Sequence, residues 1–122
     1  MEFYFDNNIP IYIQLVEQLK IYIISGKLSP GEKLPSVREL AILSKANPNT
    51  VQRALAELES IGLIYTERTN GKFVSTNSEN IEKTRQEYAA VISLKFYEDM
   101  QKIGFEKADT LHYLETLKGE KS

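Results

Sequence analysis

The sequence of 122 residues contains no cysteine and no apolar run of the ~18 residues that a membrane span requires. Without cysteine the chain can form neither a disulfide scaffold nor a thiolate metal site, and it suits a reducing compartment. Its first eight residues, MEFYFDNN, lack the basic and then apolar pattern of a secretory leader. These absences predict a soluble, cytoplasmic protein with no membrane partner.

The groups that would indicate catalysis are also missing. His112 is the single histidine, and there is no nucleophile elbow, phosphate-binding loop or metal-spaced carboxylate cluster. The adjacent acids Glu98 and Asp99 point to different faces of a predicted helix, which suits solvated surface better than an acid–base pair. We therefore expect no enzyme activity, no cofactor and no metal site.

What the chain does contain is an apolar fraction of 42%, enough for one compact domain with a small appendage. Its most informative stretch runs from Ser44 to Gly62. Asn47 can cap a helix that begins at Pro48, because proline at the first helical position loses no hydrogen bond. One face of this helix is an apolar stripe, formed by Val51, Ala54, Leu55 and Leu58.

The opposite face of this helix carries Asn49, Gln52, Arg53 and Ala56. Amide, hydroxyl and guanidinium groups occupy its first two turns, with no carboxylate before Glu57 to repel phosphate. Such side chains can reach base edges when the amino end of a helix enters a major groove. The pattern predicts a recognition helix; an ordinary surface helix with a polar outer face is the alternative.

The flanking segments predict two further helices and a hairpin. The first helix runs from Ile9 to Ser25, with Ile13 and Ile24 opposite its packed face. The packed face consists of Tyr12, Leu15, Val16, Leu19, Tyr22 and Ile23. After a Pro30-Gly31 turn, the residues from Ser36 to Glu39 match a capping box that opens a second helix, ending near Ser44 or Lys45.

Beyond Gly62, the segments LIYTE and KFVST flank Asn70-Gly71, which predicts two strands joined by a tight turn. Three helices followed by a hairpin form a winged helix, in which Asn70, Gly71 and Lys72 would lie at the wing tip. The predicted fold class is mainly α with a small β-hairpin (α+β). Residues 1–76 would be a winged helix-turn-helix DNA-binding domain.

Charge is distributed in a way that fits this interpretation. The net charge is −2, but residues 1–76 hold eight basic and eight acidic side chains and the rest hold seven and nine. Between Lys33 and Ala56 the single acid is Glu39. The bases there are Lys33, Arg38, Lys45 and Arg53. So few cations predict weak non-specific binding to DNA, which a pair of subunits would strengthen.

Four segments together carry a family resemblance: PIYIQL, SGKLSPGEKLPSVREL, NPNTVQRALAELESIGLI and NGKFV. Over roughly Pro10 to Val74 they resemble the winged-helix domain of GntR-family bacterial transcription regulators. The NPNT form and the short tail resemble the YtrA-like subfamily. The resemblance implies a sequence-specific regulator, commonly a repressor of its own promoter or of transporter genes, sometimes modulated by a small effector.

The resemblance also implies which residues contact DNA. These are Ser36 and Arg38 in the second helix, Asn47, Pro48, Asn49, Thr50 and Gln52 in the third, and Gly71 and Lys72 in the wing. Arg53 lies one place past the usual contact and is expected to contact phosphate. Because Pro48 and Gln52 stand where most of the family has Arg, we expect base preference to shift from guanine toward adenine.

Residues 77–122 are predicted to be a helical dimerisation region. An uninterrupted pattern from Glu79 to Ile103 predicts one long helix, closed by Gly104 and followed by a shorter helix. Two helices cannot close a core alone, so pairing with a second copy is the economical solution. The predicted interface comprises Tyr88, Val91, Ile92, Phe96, Met100, Ile103, Leu111 and Leu114.

A two-fold homodimer predicts an inverted-repeat operator in double-stranded DNA, with one recognition helix reading each half. Any effector site must be built from the tail. Its candidate lining is Tyr88, Phe96, Tyr97, His112 and Tyr113, although such residues more often serve as core or interface. The competing interpretation of the whole chain is a winged-helix module that binds protein rather than DNA.

Overall fold

A computed structural model of the protein describes residues 1–117. It has five α-helices and one antiparallel two-stranded sheet in this part of the chain, which confirms the predicted mainly α fold with a hairpin. The elements are α1 (Ile11–Ile24), α2 (Val37–Ser44), α3 (Pro48–Ser60), β1 (Ile64–Glu67), β2 (Gly71–Val74), α4 (Ser78–Lys102) and α5 (Lys107–Thr116). None of the described helices is both long enough and apolar enough to span a membrane.

Two compact units make up the chain, Met1–Arg85 and Gln86–Ser122; the last residues of the second, 118–122, lie outside the described part. The boundary expected after residue 76 comes earlier than this division. The reason is that the first turns of α4 belong to the first unit. Asn80 Nδ2 donates to the carbonyls of Ile61 (3.2 Å) and Gly62 (3.1 Å), and Ile81 packs against the core.

The core of the first unit lies between α1 and α3 and is closed by the hairpin. The apolar stripe predicted for α3 is fully buried, and the side chains of Leu15, Leu19 and Ile23 from α1 pack against it. Ile13 is 52% exposed, as expected. Ile24 is 9% exposed, so its predicted outward position was wrong: it lines a groove at the end of α1 together with Pro30 of the following loop and Ile81 of α4.

The segment before α1, not assigned by sequence reasoning, lies extended along that helix. Three α1 side chains, one turn apart, bond both backbone groups of alternate residues. Tyr22 bonds Glu2, Gln18 bonds Tyr4 and Gln14 bonds Asp6, with distances of 2.6–3.1 Å. Phe3 and Phe5 on the other side of the segment pack against the core. Side chains of α1 therefore bond the backbone N–H and carbonyl groups of this segment, as a neighbouring strand would.

The turn between α2 and α3 is short because both helix ends are capped. Ser36 Oγ accepts from the Glu39 N–H (3.0 Å), and the Ser36 N–H donates to Glu39 Oε1 (2.8 Å), which is the predicted capping box. α2 ends at Ser44, and the next residue, Lys45, caps it in the left-handed conformation with φ 56°. Asn47 Oδ1 then accepts the Asn49 N–H (2.7 Å) and opens α3, as predicted.

The hairpin differs from the prediction in its turn. Glu67 pairs with Gly71, so three residues, 68–70, form the loop, and Gly71 begins β2 instead of completing a two-residue turn. The connector before α2, predicted as turn alone, adds a further bridge to this sheet. Lys33 pairs with Phe73, and the Leu34 N–H donates to the Lys72 carbonyl at 2.8 Å. The connector thereby brings Lys33 to the wing.

In the second unit, α4 ends at Lys102, one residue short of the predicted limit, and Gly104 follows with φ 91°. α5 begins after Glu106, whose N–H donates to Asp109 Oδ2 (3.0 Å). Of the residues on α5 only Thr110 is buried, and no residue of α4 is. Several large apolar side chains of the second unit, among them Val91, Ile92 and Ile103, are exposed in the single chain.

Candidate nucleic-acid interface

The amino-terminal half of α3 presents two amide side chains, Asn49 and Gln52, to solvent. Both are exposed, and within residues 1–117 neither side chain has a hydrogen-bond partner. Their spacing of three residues puts them on one face of the helix. Each therefore keeps its amide donors and its carbonyl acceptor, the combination that can pair with an adenine edge.

Three other predicted contacts of α3 have more restricted roles. Asn47 uses its side-chain oxygen as the helix cap, which leaves its amide N–H groups to donate. Pro48 is exposed but has no backbone donor, so it can offer apolar contact alone. Thr50 is half-buried beside Val51. Asn49 and Gln52 are thus the predicted α3 contacts whose side-chain amides are both exposed and unpaired among residues 1–117.

Arg38 lies in the first turn of α2, exposed and without an ion pair among the described residues. Its guanidinium is free to bind phosphate or guanine. Ser36, two residues earlier, has its backbone N–H and its hydroxyl oxygen engaged in the capping box. The bond from the Ser36 backbone holds the pKa of Glu39 below its ordinary value. Ser36 is therefore chiefly a helix cap.

The two predicted wing contacts, Gly71 and Lys72, differ in their exposure to solvent. Gly71 is exposed with φ 103°, a backbone conformation that favours glycine and leaves no side chain in the way of a duplex. Lys72, by contrast, is half-buried. Its Nζ donates to Glu59 Oε1 (3.1 Å) and Thr66 Oγ1 (2.7 Å). The predicted wing cation is therefore bound to α3 rather than free.

Two basic residues absent from the predicted contacts lie around the same wing. Lys33 and Arg68 line an open groove of about 390 Å³ between the start of α2 and the hairpin, together with Ser36 and Lys72. The Lys33 side chain passes so close to Gly71 that an added β-carbon would lie 3.3 Å from its Cε. The excess of bases between Lys33 and Ala56 was a signal for Lys33, but the bridge to β2 decided where Lys33 lies.

Arg53 does not extend freely from the outer face of α3. Its guanidinium lies over the Tyr12 ring of α1, 4.0 Å from the ring centroid. The Tyr12 hydroxyl in turn donates to Glu57 Oε1 at 3.4 Å. Arg53 remains exposed, so it keeps access to phosphate from a position set by α1.

In the second unit, four of the five aromatic and histidine candidates for an effector site line two different cavities. Phe96 and Tyr97 line a largely apolar cavity of about 390 Å³ between α4 and α5. His112 and Tyr113 line another, of about 280 Å³, beside Phe105. Tyr88 lines neither of these two cavities. No group of His, Asp or Glu that could hold a metal ion is present among the described residues.

A capped helix-turn-helix followed by a hairpin wing, with unpaired amides on the second helix of the motif, defines the winged helix-turn-helix class of DNA-binding transcription regulators. The sequence model for bacterial regulatory proteins of the gntR family matches residues 11–74. The chain belongs to the GntR family. As predicted, it is a transcription regulator of this family and not an enzyme.

Two Bacillus subtilis relatives agree with the YtrA-like resemblance. The uncharacterized HTH-type transcriptional regulator YhcF is 34% identical over 95% of this chain and 96% of its own length. The HTH-type transcriptional repressor YtrA is 51% identical over 57% of this chain and 53% of its own length. The stronger identity is thus confined to a segment of about the size of the winged helix, whereas the YhcF match includes the tail.

Solved structures resemble both the whole chain and its winged-helix part. A GntR-family transcriptional regulator from Listeria monocytogenes superposes with a TM-score of 0.86 at 37% identity, covering 93% of this chain and 100% of its own. The DNA-binding domain of AraR, solved in complex with operator ORX1, superposes with a TM-score of 0.57 at 30% identity, covering 62% and 96%. A domain of this fold in the same family therefore binds operator DNA.

Proposed function

We propose that the protein is a homodimeric repressor that binds an inverted-repeat operator. The observation that carries this proposal is the outer face of α3, where the side chains of Asn49 and Gln52 are exposed and unpaired among the described residues. Unpaired amides on a helix-turn-helix are what direct readout of adenine requires. The operator complex of AraR supports the same use of the domain.

In this proposal α3 enters the major groove by its amino end, and the neighbouring elements hold the backbone. Asn49 and Gln52 contact base edges, while Arg38 on α2 and Arg53 on α3 contact phosphates. The wing lies beside the adjacent backbone with Gly71 at its tip, and Lys33 and Arg68 supply cations there. Lys72 takes part after leaving Glu59.

Dimerisation is proposed to occur through the second unit. Val91 and Ile103 are each 69% exposed, and Ile92, Leu111 and Leu114 are also uncovered. An exposed apolar surface of this extent on α4 and α5 is typical of a subunit interface. Tyr88, Phe96 and Met100 would complete it, and the apolar cavity between α4 and α5 would be filled or closed by the second copy.

The regulatory consequence is steric: a dimer bound at a promoter blocks polymerase. Support for repression comes from the relative YtrA, which is named a repressor, and from AraR, whose complexes contain operators. We further propose that the protein acts in the cytoplasm on its own promoter or on transporter genes. A small effector would bind to the second unit and change the separation of the two recognition helices.

The test is a footprint of the full chain on the DNA upstream of its own coding region, followed by anisotropy titration of the protected fragment. We expect one protected inverted repeat and two chains per duplex. Asn49→Ala and Arg38→Ala should each weaken binding by at least tenfold, since each loses the same contact in both half-sites.

The matched controls are Gln101→Ala and Lys83→Ala. They remove an amide and a cation from exposed positions on α4, away from the proposed DNA interface. If the four variants bind the fragment equally well, α3 does not read it. A protein that binds no duplex at low salt, while remaining folded and dimeric, would instead be the protein-binding module that the sequence left open.

A further inference from the structure

One aromatic side chain outside the predicted contacts touches two charged residues of α3. Tyr12, in the first turn of α1, carries the Arg53 guanidinium over its ring at 4.0 Å and donates its hydroxyl to Glu57 Oε1 at 3.4 Å. The ring is half-buried, packed against the core on its other side. Tyr12 is therefore a fixed support under a surface that the proposed function places on DNA.

Arg53 and Glu57 are four residues apart on α3, a spacing at which opposite charges usually pair on a helix. Among the described residues, however, they form no ion pair with each other. The tyrosine separates them, because its ring attracts the cation and its hydroxyl engages the carboxylate. Without the ring, Glu57 would be able to neutralise Arg53 from its place four residues further along the same helix.

Stacking also determines which part of the guanidinium remains available. All five N–H donors of arginine lie in the plane of the group, whereas an aromatic ring contacts its face. Arg53 stacked on Tyr12 consequently keeps its full set of donors for a phosphate. It lies one turn after Asn49, on the same side of α3, where the backbone flanking a base contact would run.

We propose that Tyr12 is a positioning residue for DNA binding, which rests on the proposed function. Its ring holds Arg53 ready for a backbone phosphate, and its hydroxyl keeps Glu57 from pairing with that arginine. The ligand of this composite site is a phosphate of the duplex, recognised by charge and geometry rather than by base. The residue acts through Arg53 and does not contact the DNA itself.

The test measures the affinity of the full chain over a range of salt concentrations for two duplexes: the fragment upstream of its own gene and a random duplex of equal length. Tyr12→Leu keeps apolar packing but loses the ring; Tyr12→Phe keeps the ring. We expect Tyr12→Leu and Arg53→Ala to weaken binding about fivefold per subunit and to lower the salt slope by about 1 per subunit. Tyr12→Phe keeps the ring but releases Glu57, so its slope should lie between those of Tyr12→Leu and the natural protein.

Two combinations separate positioning from simple loss of packing. Adding Tyr12→Leu to Arg53→Ala should cost no further affinity, because the cation is already gone. Adding Glu57→Gln to Tyr12→Leu should restore the salt slope, because the competing carboxylate is removed. Glu57→Gln alone serves as the reference for its general effect on charge. Thermal unfolding of each variant shows whether the fold is retained.

The outcomes are distinguishable. If the natural protein prefers the upstream fragment but Tyr12→Leu has an unchanged slope, the positioning role is refuted and the proposed function stands. If both duplexes bind equally and the variants still respond as expected, the phosphate site stands without sequence-specific regulation. Failure of the natural protein to bind either duplex refutes both. A Tyr12→Leu defect that Glu57→Gln leaves uncorrected refutes the positioning role alone.

Discussion

The ammonium group of Lys72 in the wing lies 3.1 Å from Oε1 of Glu59 in α3. Thr66 joins them, since its hydroxyl accepts from Lys72 (2.7 Å) and donates to Glu59 (2.9 Å). The bond from Thr66, and after it the bond and charge of Lys72, hold the pKa of Glu59 below its ordinary value. The wing lysine is thus neutralised within the first unit, and a DNA phosphate must compete with a carboxylate for it.

This competition predicts that Glu59→Gln strengthens DNA binding. Lys72 would then face a neutral amide, and its charge would become available to phosphate. Affinity for a duplex should rise several-fold, with a salt slope steeper by about 1 per subunit. Anisotropy titrations at several salt concentrations measure both quantities.

The control is Glu98→Gln, which removes the same charge from an exposed position on α4. Equal gains from the two variants would attribute the effect to net charge alone. Lys72→Ala should weaken the Glu59→Gln protein more than it weakens the natural one; equal losses would mean that the ion pair does not restrain the lysine.

The capping box of α2 predicts a dependence of stability on pH. Bonds from Ser36, first from its backbone, lower the pKa of Glu39 from the ordinary 4.5 in the folded protein. A group with a depressed folded pKa stabilises the fold above its unfolded pKa, and that contribution disappears as pH falls through the folded value. Stability should therefore decrease below pH 4.5.

Glu39→Gln should flatten this dependence, because glutamine can keep the capping-box bond but does not titrate. Urea unfolding at neutral pH and at pH about 4 and below gives the comparison. Glu59, whose pKa is shifted in the same direction, remains in the variant and leaves a residual slope. An undiminished slope in the Glu39→Gln protein would show that the capping carboxylate does not contribute.

The amino-terminal segment predicts a stabilising role for the glutamines of α1. Gln18 bonds the N–H and the carbonyl of Tyr4, at 3.1 and 2.6 Å. Gln18→Ala should lower the free energy of unfolding by about 1 kcal/mol, the usual net value for hydrogen bonds that water can replace. Gln101→Ala on α4 is the control, with no expected effect. Equal denaturation midpoints for the two variants would mean that the bonds from Gln18 to Tyr4 add nothing to stability.

The exposed apolar face of the second unit predicts that one charge will separate the subunits. Ile92, 56% exposed in the single chain, should be buried in a dimer, so Ile92→Glu would leave an unpaired carboxylate in the interface. Sedimentation equilibrium at micromolar concentration should give a dimer for the natural chain and a monomer for the variant. The monomeric variant should also bind the operator more weakly, because the two DNA-binding domains are no longer linked and lose avidity.

Gln101→Glu places the same charge elsewhere on α4 and should leave both assembly and DNA binding unchanged. A natural chain that sediments as a monomer would refute the dimer directly. A dimeric Ile92→Glu protein would instead move the interface away from this face of α4.

Local sequence signals were sufficient to predict most of the helices and the exposure of the amides on α3. Caps and turn residues act over three or four positions, so Ser36, Asn47 and Gly104 predicted helix ends that the structure confirms within two residues. Apolar periodicity identified the buried stripe of α3 for the same reason. The exposed amides Asn49 and Gln52 followed directly from that stripe, since the face opposite a buried one is free.

Tertiary structure decided everything that depends on contacts between distant segments. The burial of Ile24, the placement of Lys33 beside Gly71, the pairing of Lys72 with Glu59 and the stacking of Arg53 on Tyr12 each join residues from different elements. No local pattern encodes such a meeting, because it is set by how the elements pack. The sequence by itself determined which face of α3 points outward and which side chains that face carries. The packing of α1, α3 and the wing determined which charged side chains around that face are free to bind.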